Sequence, residues 1–136
     1  MKKIEETISL KLARYLKIQY PKLIYRFDIG ADVRLTIGQA TKVKALQMND
    51  RGYPDLFIAK SSKGFHGLYI ELKKDKSEVF LKDGVTFKKR MNKKTGKCHI
   101  QEQHEMHERL RAEGYQVLWG FGFDDAINKI KDYLEC

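Results

Sequence analysis

No apolar run in this chain approaches the roughly 18–20 residues that a helix needs to span a bilayer. The opening segment Met1-Lys2-Lys3-Ile4-Glu5-Glu6 lacks the apolar core of a secretion signal. A membrane partner is therefore not expected. The two cysteines, Cys98 and Cys136, are too few for a disulfide framework. With no secretion signal they are expected to be reduced thiols of a protein that works in the cytoplasm. Internal repeats are absent. Zinc chemistry lacks its ligands. His104-x-x-His107 has i, i+3 spacing and no further ligands, and the i, i+4 spacing of a metalloprotease helix is missing. Both histidines are expected to be solvent-facing polar residues. Cys98-His99 has no second pair to complete a metal site, and no group is evident to orient a Cys-His nucleophile.

What is present is charge. Lys plus Arg number 27 against 18 Asp plus Glu in 136 residues, a net +9. At 42% hydrophobic and 33% charged, the chain has the composition of a globular protein and the length of one domain with its own core. The positive sign is the electrostatic footprint of a nucleic-acid binder, although ribosomal and acidic-membrane proteins share it. The basic residues concentrate late in the chain. From Lys82 to Lys97 stand Lys82, Lys88, Lys89, Arg90, Lys93, Lys94 and Lys97 against the single acid Asp83. Asp83-Gly84 between Val79-Phe80-Leu81 and Val85-Thr86-Phe87 predicts a compact hairpin, so a basic insertion spans about residues 78–98. It is expected to contact DNA phosphates. No aromatic stacking platform accompanies it, so base-specific reading is not expected.

Apolar spacing organises the rest. Ile4, Ile8, Leu12, Tyr15 and Leu16 recur at three and four over residues 3–19, one face of a helix that Pro21 ends. Residues 22–28 read as a strand, and Gln39 to Gln47 as a short helix within a polar, glycine-punctuated segment. Two apolar runs, 55–60 and 68–73, flank a link rich in Gly and Ser, the pattern of two strands and a loop. Residues 100–113 read as a helix closed by Gly114, residues 115–119 as a buried strand, Gly120-Phe121-Gly122 as a turn, and Asp124 to Leu134 as a last helix. The order predicts an α/β sandwich with a mixed sheet.

Chemistry converges on the two central runs. Side chains alternate along a strand, so Tyr69, Glu71 and Lys73 share one face and Leu68, Ile70 and Leu72 the other. If the runs pair antiparallel, Asp55 comes beside Glu71 and Lys73. Two carboxylates about 4 Å apart repel by roughly 4 kcal/mol at an effective dielectric near 20. A divalent cation between them reverses the sign. Oxygen ligands of this kind suit Mg2+ or Mn2+, which bind through one or two carboxylates plus substrate phosphate.

Pro54-Asp55, then Glu71-Leu72-Lys73 after 15 intervening residues, then Gln103 opening a helix, resembles the PD-(D/E)xK nuclease superfamily. Within it the pattern is similar to the VRR-NUC family in its compact stand-alone phage and bacterial form. His66 to Lys74, Lys82-Asp83-Gly84, His99 to Gln103 and Leu110 to Tyr115 all read like that family. The resemblance implies a restriction-endonuclease-like three-layer sandwich, a central mixed β-sheet flanked by helices, as a single nuclease domain over residues 1–136. It implies Asp55, Glu71 and the Leu72 carbonyl as ligands of Mg2+ or Mn2+, Lys73 as the residue that positions or activates water, and Gln103 as an orienting residue. A first-helix glutamate also belongs to the set; Glu5 matches best, with Glu6 one residue away. The implied activity is metal-dependent endonucleolytic cleavage of DNA, of Holliday junctions or other branched forms, by a homodimer. Nicking of nonspecific or flap DNA by the same chemistry, or an inactive nucleic-acid-binding module, are the alternatives.

Overall fold

In the computed structural model the backbone is described for residues 2–28, 34–88 and 98–135, and side chains among these from residue 8 onward. Helix α1 spans Lys2–Gln19 and strand β1 Tyr25–Phe27. Helix α2 covers Ile37–Leu46, β2 Leu56–Ile58 and β3 Leu68–Lys73. After a single 3-10 turn at Lys76–Glu78 come α3 at His99–Ala112, β4 at Gln116–Phe121 and α4 at Gly122–Leu134. The strands form one sheet in the order β1-β2-β3-β4. β1, β2 and β3 pair antiparallel, and β3 pairs parallel with β4, reached through α3.

The alternation in β3 explains the layering. Leu68, Ile70 and Leu72 join Leu56 and Ile58 in a fully covered core with Ile8, Leu12 and Leu16 of α1 and Ala126, Ile130 and Tyr133 of α4. The opposite face carries Phe57 stacked on Tyr69 at 4.6 Å between ring centroids, and beyond them the buried α3 residues Gln103, Met106 and His107. Helices thus cover both sides of a mixed sheet, the three layers expected. A smaller cluster of Val79, Cys98 and Ile100, with Phe80, Phe87, Trp119 and Phe121 against it, packs at the β4 end. No helix among the described residues is long and apolar enough to cross a membrane.

Three local expectations change. The run at 55–60 is regular strand only over Leu56–Ile58, because the Asp55 side chain, not its backbone, takes the next hydrogen bond from β3. The turn expected at Gly120-Phe121-Gly122 begins later: β4 continues through Phe121, and Gly122 with φ +87° opens α4. Gly120 lies opposite Leu72, where a Cβ would stand 2.9 Å from Ile70 Cγ2 and 3.1 Å from Ala126 Cβ. The missing side chain is what lets α4 approach the sheet. In the basic insertion, the Asp83-Gly84 turn is capped by Asp83, whose carboxylate accepts from Val85 N, Thr86 N and the Thr86 hydroxyl. The hairpin itself is a single bridge, Phe80 to Phe87.

Gly120→Ala should therefore destabilise the protein by about 1–3 kcal/mol through overpacking. A urea titration should show a lower midpoint with an unchanged slope.

Candidate active site

Register brings the predicted acids together. Leu56 pairs with Ile70, so one further step puts Asp55 opposite Glu71. Directly opposed residues of an antiparallel pair project from the same face, with Cβ atoms about 4.5–5.5 Å apart. The Asp55 carboxylate closes against β3: Leu72 N donates to Asp55 Oδ2 at 2.7 Å. Within a strand a residue's N–H and C=O leave the backbone on the same side. The Leu72 carbonyl therefore also faces the Asp55 side of β3. Asp55 is delivered by a pinned loop. Gly52 adopts φ +91° and packs so closely on α3 that a Cβ there would lie 2.5 Å from Glu102 O and 2.9 Å from Gln103 Cα. An exposed Arg109–Asp50 pair at 2.7 Å crosses between the same segment and α3.

Glu71, Lys73 and Gln103 are all nearly inaccessible, at 2%, 7% and 5% exposure. Lys73 lines one wall of a cleft of about 350 Å3 with Lys74, Ser77, Glu78, Lys88 and His99. Burial, and then the nearby Lys73 charge, holds the His99 imidazole below its ordinary range. Gln103 Nε2 lies 3.1 Å from His99 Nε2, so the amide donates and the ring accepts. Gln103 Oε1 is buried with no hydrogen-bond partner among the described residues. Beneath the acids, Tyr53 donates to the buried Tyr69 hydroxyl at 3.0 Å; burial, and then that bond, pushes the Tyr69 phenol above its usual range.

Two residues were missed by the sequence reading. His107, expected in solvent, is fully buried, with Nε2 3.4 Å from Glu71 Oε1. It lies four residues after Gln103, so helical spacing places both over the same face of the sheet; pairing His107 with His104 instead hid that. Burial pulls its pKa down to about 3, while the Asp55 charge works in the other direction. Burial therefore favours the neutral ring, for which the contact with Glu71 is a hydrogen bond. Asp28 is the second. Tyr25 pairs with Ile58 and Phe27 with Leu56, so Asp28 continues the row opposite Asp55, and Asp28 N donates to Asp55 O at 2.7 Å. β1, β2 and β3 each bring an acid to the same row. The signal in the sequence was an acid closing the first predicted strand.

Of the other predicted residues, Lys82 and Lys88 are exposed on the basic insertion. Lys89, Arg90, Lys93, Lys94 and Lys97 lie outside the described residues, as does the side chain of Glu5, whose backbone falls in the first turns of α1. Among the described residues no group of three or more His, Cys, Asp or Glu side chains is arranged to hold a metal. The set that is present still suits a hard cation that keeps most of its waters: two carboxylates on one face, a backbone carbonyl beside them, and a buried amide oxygen with no donor.

A solved structure described as a VRR_NUC domain protein superposes on this chain with a TM-score of 0.65. The two are 24% identical, over 96% of this chain and 88% of that one. The chain has the fold of a VRR_NUC domain. No family model matches the sequence, and no curated protein matches it.

Like charge in one row predicts a cost that can be measured without any assay of function. Asp55→Asn keeps an acceptor for Leu72 N–H and removes one of two like charges on the same face. The variant should melt at or above the wild-type temperature in chelator, by roughly 3–6 °C for each kcal/mol of repulsion relieved. A clear fall in melting temperature would show that the two carboxylates do not strain one another.

Proposed function

We propose that this chain is a metal-dependent DNA endonuclease, a single VRR-NUC domain that hydrolyses phosphodiester bonds in branched DNA inside the cell. The observation that carries this reading is the set Asp55, Glu71 and Lys73 on one face at one end of β2 and β3, with Gln103 of α3 over the same face. Burial of all but Asp55 below a tenth of full exposure makes a surface Glu/Lys pair the poorer account. The fold of a VRR_NUC domain supports it, and the net charge of +9 suits a polyanion.

Asp55 and Glu71 would hold Mg2+ or Mn2+, with the Leu72 carbonyl beside them. Such a cation, when bound, polarises the scissile phosphate and lowers the pKa of water. The chain's own groups do the rest. Lys73 extends from the same strand face as Glu71, where its amine can orient the attacking water and offset charge that develops on the phosphoryl oxygens. Gln103, held through its amide nitrogen by His99, keeps its carbonyl oxygen for the site. Lys88 shares the Lys73 cleft and Lys82 stands on the same insertion, and both would contact phosphates flanking the cut. A two-fold dimer would present two such centres to two strands of a junction.

Asp55→Asn and Lys73→Ala should each lose cleavage by several orders of magnitude and still bind DNA with an affinity that falls steeply with salt. Cleavage of a four-way junction and of its matching linear duplex, each with Mg2+, with Mn2+ and with chelator, tests both the activity and its preference. Metal-dependent cutting by purified Asp55→Asn protein would sink the scheme, and equal cutting of both substrates would remove the preference for branched DNA.

A further inference from the structure

His107 is a buried polar side chain that the proposed chemistry does not use. It is completely inaccessible, on the α3 face that covers the acids. Its ring meets Trp119 edge-on, with centroids 4.8 Å apart. Nε2 lies 3.4 Å from Glu71 Oε1, and Nδ1 has no partner among the described residues. Nδ1 left without a partner costs about 1–3 kcal/mol, and what offsets it in this arrangement is the contact of Nε2 with buried Glu71. The chemistry of the contact fixes its direction. An ionised carboxylate only accepts hydrogen bonds, so a neutral imidazole facing Glu71 must carry its proton on Nε2. Nδ1 is then an acceptor, which is the atom found without a donor.

We propose that His107 is the positioning residue of Glu71: its Nε2–H holds Oε1 toward α3 and fixes the carboxylate in the orientation that presents its other oxygen on the side of Asp55. This rests on the reading of Asp55 and Glu71 as cation ligands. A carboxylate fixed by a second group is already in its binding orientation, and loss of such outer partners typically weakens metal affinity by about 10–100-fold. Two variants separate positioning from packing. His107→Leu fills the space and removes the donor. His107→Gln returns an N–H at similar reach from the backbone.

Three measurements on the full chain test this. In the metal-free wild type, long-range 1H–15N spectra should show the Nε2–H tautomer of His107. By calorimetry, Mn2+ should bind the Leu variant about 10–100-fold more weakly than wild type, and the Gln variant should recover most of that loss. In urea the Leu variant, which takes the His107 donor from buried Glu71, should unfold earlier than wild type, and the Gln variant should recover part of that loss. An Nδ1–H tautomer overturns the proposal. So does wild-type Mn2+ affinity in the Leu variant, or a Gln variant as weak as the Leu variant. Wild-type protein that takes up no Mn2+, yet shows the Nε2–H tautomer, overturns the reading of the acids as metal ligands and leaves the His107–Glu71 hydrogen bond standing.

Discussion

A strand covered on both faces cannot leave an ionised side chain to water. β3 is such a strand: every residue from Leu68 to Lys73 is buried. Its even positions meet α1 and α4, where aliphatic side chains satisfy them. Its odd positions meet α3, and there Glu71 and Lys73 carry charge into a layer that a purely structural sheet would fill with hydrocarbon. An ionised group in such surroundings costs several kcal/mol unless it is paired or hydrogen-bonded. The rest of the odd face answers that demand. His107 reaches Glu71 from α3, Leu72 N–H takes the Asp55 carboxylate, and Lys73 opens into the cleft that His99 and Lys88 share.

The demand is made harder by the register. Pairing sets Asp28, Asp55 and Glu71 in one row across three strands, Glu71 buried and Asp28 and Asp55 half-buried. A fold under selection for stability alone would interleave lysines at these positions. Gly52 packs closely on the α3 backbone and Gly120 under α4, one on each side of the sheet that carries this row. α3, which lies over this face, contributes two buried polar side chains, Gln103 and His107, and not a purely apolar stripe.

Much of this was legible in the sequence. Helical spacing of Ile8, Leu12 and Leu16, alternation through Leu68–Lys73 and the glycine after α3 found α1, β3 and α3 to within a residue or two, because each rule is local. Asp55 beside Glu71 was also legible, since an antiparallel pairing that buries Leu56, Ile58, Leu68 and Ile70 together brings the two into line. What the sequence concealed is what depends on non-local pairing. Asp28 closes the first predicted strand, but it joins the row only through the β1–β2 register. Gly120 looked like a turn residue, and only the approach of Ala126 shows it to be a strand residue without room for a Cβ.

His107 marks the limit most clearly. Two histidines three apart on a polar-looking helix read as a solvated pair, and for His104, which is half-buried against Phe87, the surroundings are indeed mixed. The helical period had already offered a different partner. Gln103 and His107 stand four apart, one turn along α3, and the stripe through Ile100, Gln103, Met106 and His107 is the buried one. Counting apolar residues alone assigns the face of this helix poorly, because half of its buried stripe is polar. A helix whose inward face carries an amide and an imidazole must pack on something that needs them. In this chain that is the charged face of β3, so the polarity of α3 and the charge of β3 are two halves of one constraint, each costly without the other.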